Sequence, residues 1–144
     1  LFLGVQAWQR QAAAARFVVE GGVVELRRGS DGHYHWPGRI AGQPVDFLVD
    51  TGATGTAISS ALARDLGLRA IDTVRSSTAG GVVTGEVVRA DIVLRGGFRV
   101  DRLPVVALQG LSDRPLLGMD VLGRLKWQQD DGVLRIDLRS LGAR

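Results

Sequence analysis

The sequence predicts a small β fold, closed or sandwich-like, with only two or three short helices. Three observations carry this. Segments rich in valine, isoleucine, leucine and phenylalanine recur at short, regular intervals, and turn residues separate them. Twenty glycines with only 6% aromatic residues indicate many turns and short strands rather than long helices. At 144 residues and 45% hydrophobic content the chain is large enough for one domain with a real core, and too short for two large ones.

Taken in order, residues 6–16, QAWQRQAAAAR, favour helix by alanine, glutamine and arginine propensity but lack apolar periodicity, so a linker or docking helix is expected over 1–16. From Phe17 the pattern turns to β, and a domain is expected over 17–144. FVVEGGVVELRR reads as two strands joined at Gly21-Gly22 by a hairpin-type turn. HYHWPGRI leads to a turn over Ala41 to Pro44 and then to the strand VDFLVD. A short helix follows, capped by Ser59 or Ser60 and stopped at Gly67. TVRSSTAGGVVTGEVVRADIVL is a long hairpin with Gly80-Gly81 near its tip and Gly85 as a further flexible point. FRVDRLPVVAL reads as a strand pair, DRPLLGMDVLGRL as an apolar strand turning into a helix, and LKWQQDDGVLRIDL as a last hairpin turning at Asp131-Gly132.

Composition excludes some chemistry. With no cysteine there is neither a disulfide framework nor a thiolate metal site. The net charge is +3, and the arginines are interspersed with acidic residues, which describes a solvated mixed surface rather than a nucleic-acid footprint. The apolar start LFLGVQAW is far shorter than the roughly 20 residues of a membrane span. Because residue 1 is leucine, the chain is expected to be part of a longer product. Its start then reads either as the end of a removed anchor or signal segment or as a lead-in helix.

The chemistry concentrates at FLVDTGATGTAIS, residues 47–59. A carboxylate ending an apolar strand is unfavourable unless hydrogen bonds compensate it. Thr51 supplies a hydroxyl, and Gly52 lets backbone approach closely. By itself Asp-Thr-Gly favours a local turn in which Asp50 bonds only nearby backbone amides, because the tripeptide occurs by chance in many proteins. A weak internal echo adds context: FLVDTG before ALARDLG parallels PLLGMD before VLGRL, strand, glycine loop and short helix, with Gly118 where the first copy has Asp-Thr-Gly.

GHY at 32–34, VDFLVDTGAT at 45–54, STAGG at 77–81 and LLGMDVL at 116–122 occur in order, and together they resemble the retropepsin-like aspartic proteases. The likeness runs from about Gly32 to Leu138 and is greatest to the bacterial single-domain group, often membrane-anchored with a periplasmic protease domain. It implies an all-β, retropepsin-like closed barrel with one or two short helices, one half of an acid protease, working as a homodimer. It also implies an aspartic endopeptidase acting on an extended polypeptide, with no metal and no cofactor.

A single Asp-Thr-Gly then means that the second carboxylate is Asp50 of another copy across a two-fold axis. Under the same resemblance Thr51 and Gly52 form the active-site loop and dimer lock. Ala53 and Thr54 line the substrate groove, and Ala79, Gly80 and Gly81 form a flap tip. A periplasmic or membrane-anchored location follows from the likeness and the apolar start. Viral members carry an acidic residue and an arginine where this chain has Thr54 and Met119, so their substrate preference does not transfer. The alternative is a peptide-binding or dimerisation module that keeps the fold without turnover.

Other candidates are weaker. His33 and His35 alternate with Tyr34 and Trp36 and are expected on one face of a half-exposed strand, without the carboxylate or cysteine partners of a metal site. Asp130-Asp131-Gly132 lacks calcium-loop spacing, GGVVTG lacks the lysine of a phosphate loop, and no serine or threonine pairs with a histidine as a triad.

Overall fold

The computed structural model describes residues 15–19 and 21–139. The helix expected over 6–16 lies outside the described residues except for Ala15 and Arg16, and Arg16 begins the first strand. Among the described residues these strands and short helices follow in order: β1 (Arg16–Val19), β2 (Val23–Arg27), β3 (His35–Ile40), β4 (Gln43–Val49), β5 (Ala57–Ser59), α1 (Ser60–Asp65), β6 (Ala70–Thr78), β7 (Gly81–Leu94), β8 (Phe98–Leu108), β9 (Leu116–Leu117), α2 (Met119–Leu122), β10 (Lys126–Asp130) and β11 (Val133–Asp137).

Strands β8, β5, β9, β4, β3 and β7 pair in that order, and β7 pairs back onto β8, so six strands close a barrel. Strand β1 adds to the outside of β8 and β6 to β7, while β10, β11 and β2 form a separate three-stranded sheet. Period-two burial places the core. In β7 the residues Val88, Ala90, Ile92 and Leu94 turn inward, and in β11 Leu134 and Ile136 do so. Trp36, Phe47, Ile58, Phe98, Leu117 and Leu122 are among the largest fully buried side chains.

Local signals behave as their chemistry dictates. The Ser59 hydroxyl accepts the Leu62 N–H at 3.0 Å and so caps α1, and Gly67 follows its C-terminus. Ala41-Gly42 and Asp131-Gly132 all have positive φ, as two-residue hairpin turns require. The first of these turns is shorter than the expected Ala41 to Pro44, because Gln43 and Pro44 already pair with Ile40 and Arg39.

Two expectations are corrected. The segments around Gly21-Gly22 are strands, but they do not form a hairpin: β1 pairs with β8, and β2 pairs with β11. The chain passes between sheets there, so close to β8's approach that a Cβ on Gly21 would strike the Gly96 carbonyl. Residues 98–108 form one strand, not a pair. The register with β7 skips between Ala90 and Ile92, Arg102 takes φ +57, and the Asp91 carboxylate accepts the Arg102 N–H at 2.8 Å. This irregularity bends β8 without ending it, and so lets one strand serve two parts of the barrel.

Trp36 is fully buried on β3, and its indole N–H donates to the Arg95 carbonyl at 2.9 Å. Trp36→Phe removes volume and leaves that carbonyl without its donor. A loss on the order of 2 kcal/mol is expected in urea unfolding at an unchanged m-value. A loss below a few tenths would show that the barrel interior repacks freely here.

Candidate active site

Strand β4 ends against backbone on both sides. The Leu48 N–H donates to the Pro115 carbonyl at 2.8 Å, Val49 to Tyr34 at 2.9 Å, and Asp50 to Leu117 at 3.0 Å. Strand β9 runs parallel to β4, with Leu48 opposite Leu116 and Val49 opposite Leu117. The two halves of the internal sequence echo are thereby neighbours in space. Asp50 leaves the barrel wall at their junction, partly exposed, and its Oδ1 accepts the Gly52 N–H at 2.9 Å.

Beyond Asp50 the chain turns back, with Ala53 N–H donating to the Asp50 carbonyl at 3.2 Å. Thr51 and Gly52 are exposed at the tip, and Thr54 is exposed as well. Ala53 is different. It is fully buried, and its carbonyl accepts the Met119 N–H at 2.8 Å, so in this chain it supports the loop instead of presenting an open surface. Thr51 borders a hollow with Val49, Tyr34, Leu122, Trp127 and Leu134. The Tyr34 hydroxyl is buried there without a hydrogen-bond partner among the described residues.

Ala79 and Gly80 form the turn between β6 and β7, and Gly81 begins β7 with φ +115; all three are exposed. Neither strand pairs directly with β4 or β5, so their placement relative to Asp50 is set through β3 and β8. The histidines depart from expectation. His33 precedes β3, so it shares no strand face with His35. The His35 ring does have carboxylate neighbours: Nε2 lies 2.8 Å from Asp31 and Nδ1 3.6 Å from Asp46. Among the described residues no group of three His, Cys, Asp or Glu is arranged to hold a metal ion.

Sequence reasoning missed Asp120. On the first turn of α2 it faces inward: one oxygen accepts the Thr56 N–H at 3.1 Å, and the other contacts the Thr56 hydroxyl at 2.9 Å. Thr56 is fully buried, and its hydroxyl also accepts the Gly118 N–H at 3.3 Å. The Asp120 N–H donates to the Thr54 carbonyl at 3.1 Å. Burial pushes the Asp120 carboxyl up to about 6, against the Thr56 amide and hydroxyl and nearby backbone amides, which favour its charged form. The available signal was the LLGMD motif, whose aspartate follows the glycine by two residues.

Gly118 makes this contact possible. A Cβ there would lie 2.6 Å from the Gly55 carbonyl and 2.9 Å from the Ala53 carbonyl oxygen, both backbone groups. Gly118→Ala is therefore expected to lower stability by about 1–3 kcal/mol in denaturant unfolding, and a neutral effect would contradict this packing. A second expectation concerns pH. Asp120 titrates higher in the folded chain than its ordinary value of 3.8, so its contribution to stability is present in full below about pH 4 and is lost as pH rises through about 6. The loss amounts to about 3 kcal/mol at most. Unfolding midpoints measured from pH 4 to 7 should show this fall in the wild type and not in Asp120→Asn.

The family is shown by a family model, and the fold is shared with a solved structure. A family model described as aspartyl protease matches residues 36–121, more than half of the chain. The crystal structure of a retropepsin-like aspartic protease from Rickettsia conorii superposes with a TM-score of 0.64 at 23% identity, over 85% of this chain and 94% of that one. The solution structure of simian foamy virus (mac) protease gives a TM-score of 0.48 at 24% identity, over 62% of this chain and 91% of that one. No curated protein matches. The matched residues span both the Asp50 loop and the Gly118 turn that backs it, and the chain belongs to the aspartyl protease family, with a retropepsin-like fold.

Proposed function

We propose that this chain is an aspartic endopeptidase that works as a homodimer, with Asp50 from each copy forming the catalytic pair. One observation carries the reading: within a family whose chemistry needs two carboxylates, Asp50 is the single Asp-Thr-Gly aspartate, presented on a loop that is rigidly backed and open at its tip. The exposed Thr51 beside the hollow, where the Tyr34 hydroxyl has no partner among the described residues, supports a surface that a second copy covers.

In the dimer two carboxylates close together share one proton and titrate as a pair. The ionised member takes a proton from a water, whose oxygen attacks the peptide carbonyl carbon. The protonated member hydrogen-bonds the oxygen on which charge develops. Collapse of the tetrahedral species breaks the C–N bond as a carboxyl proton passes to the leaving amine. Thr51 and its twin bond across the axis. An extended substrate lies along the loop by strand addition, and the 79–81 turn closes over it. A membrane tether before this domain, with the domain outside the cytoplasm, belongs to the same proposal and would raise the local concentration of the dimer.

Asp50→Asn should reduce kcat/KM for an unstructured peptide by at least about 10²-fold without lowering the unfolding midpoint. Two copies joined by a flexible linker should be active. The same fusion with Asp50→Asn in one half should not be, because the pair is then incomplete. Full activity of the half-substituted fusion would rule out the shared dyad. Peptide binding without turnover in the wild-type fusion would favour a binding module.

A further inference from the structure

Asp120 stands behind the loop rather than in it. Residues 117–120 back residues 50–56 along their whole length: Leu117 accepts the Asp50 N–H, Gly118 donates to the Thr56 hydroxyl, Met119 donates to Ala53 and Asp120 to Thr54. Thr56, fully buried, closes this seam through its amide and hydroxyl, both engaged by the Asp120 carboxyl.

We propose that Asp120 is a positioning residue, which through Thr56 sets the placement of the Asp50 loop and makes that placement depend on its own protonation. This rests on the reading of Asp50 as catalytic. When Asp120 is ionised, both carboxylate oxygens accept, one from the Thr56 N–H and one from the Thr56 O–H. When it is protonated, the second bond reverses: the carboxyl O–H donates and the Thr56 oxygen accepts. That oxygen already accepts from Gly118, so the reversal alters the seam between the two segments where the loop is backed.

Burial favours the neutral form, so the folded chain keeps it to a higher pH than an exposed carboxyl would, while the Thr56 bonds favour the charged form. Few charges surround the group. The 50–56 loop carries Asp50 as its ionisable residue, β5 and β9 carry none, and α2 carries only Asp120 itself. Arg124, just past α2, stacks over the Phe17 ring at 3.8 Å. Asp120→Asn reproduces the neutral arrangement, since its amide oxygen accepts from the Thr56 N–H and its amide nitrogen donates to the Thr56 oxygen.

The test uses backbone amide resonances of Asp50, Ala53 and Thr56, followed from pH 4 to 8 in an Asp50→Asn background so that residue 50 does not itself titrate. All three should shift together through a step near 6, the value to which burial raises Asp120. Adding Asp120→Asn should abolish the step at all three positions. Thr56→Val should abolish it at residues 50 and 53 while the Val121 amide still reports Asp120. A step confined to Thr56, or one that persists at residues 50 and 53 with Asp120→Asn, overturns the proposal.

Kinetics with residue 50 intact supply the second readout. Relative to wild type, kcat of Asp120→Asn should rise about tenfold between pH 5 and 7, with KM steady, as expected when loop placement and not substrate affinity changes. A constant kcat ratio across that range in an active enzyme also overturns the positioning role. Resonance steps in the Asp50→Asn background together with a wild-type chain that cleaves no peptide refute the peptidase reading instead, and leave the control of the loop by Asp120 standing.

Discussion

Five hydrogen bonds join residues 53–56 to residues 118–120, and the position of Asp50 depends on that junction. Asp50 itself contributes to its own restraint the bond from Gly52 to its carboxylate, the bond from Ala53 to its carbonyl and the bond from its N–H to Leu117. A two-residue strand and a one-turn helix hold everything behind it. Such short elements do not persist alone, since neither supplies the cooperative backbone bonding or the apolar area that stabilises longer ones. They persist here because β9 is wedged between β4 and β5, and because Leu117, Val121 and Leu122 are fully buried in the barrel core.

The junction also explains how a carboxylate comes to be tolerated inside this wall. Thr56 has a buried amide and a buried hydroxyl, and leaving such groups unpaired costs roughly 1–3 kcal/mol each. Asp120 satisfies both with a single side chain. The resemblance to viral enzymes directs attention to an ion pair at positions 54 and 119, which here are an exposed threonine and a methionine that is 37% exposed. One residue further on, Asp120 turns inward and makes a bond pattern that needs no cation. The same two segments are thus joined by a group whose charge is free to change with pH, whereas an ion pair resists titration on both sides.

Much of this was legible in the sequence because it is local. Turn chemistry at Asp131-Gly132, the Ser59 cap and the two hairpins that form β6–β7 and β10–β11 follow from neighbouring residues, and the structure keeps them. Asp50 was legible for the same reason, as an acid placed where an apolar strand stops. The misjudged elements were those whose outcome lies in a distant partner. Val18 and Val24 look like two arms of one hairpin, yet one strand pairs with β8 and the other with β11. FRVDRLPVVAL looks like a strand pair, yet it is one strand, and Asp91 from the facing strand supplies the bond that carries β8 through its bend.

The sequence by itself determined the β character, the turns at Ala41-Gly42 and Asp131-Gly132, and the acid on which the proposed chemistry rests. Each is set by conformational preference and side-chain period within a few residues. Only the tertiary structure decided which strands close the barrel, that Ala53 is buried, and that Asp120 belongs to the site. Asp120 and Thr56 are 64 residues apart in the chain, and nothing in either residue's own neighbourhood specifies the other. Their meeting is a consequence of barrel closure, which brings β9 and α2 against the Asp50 loop.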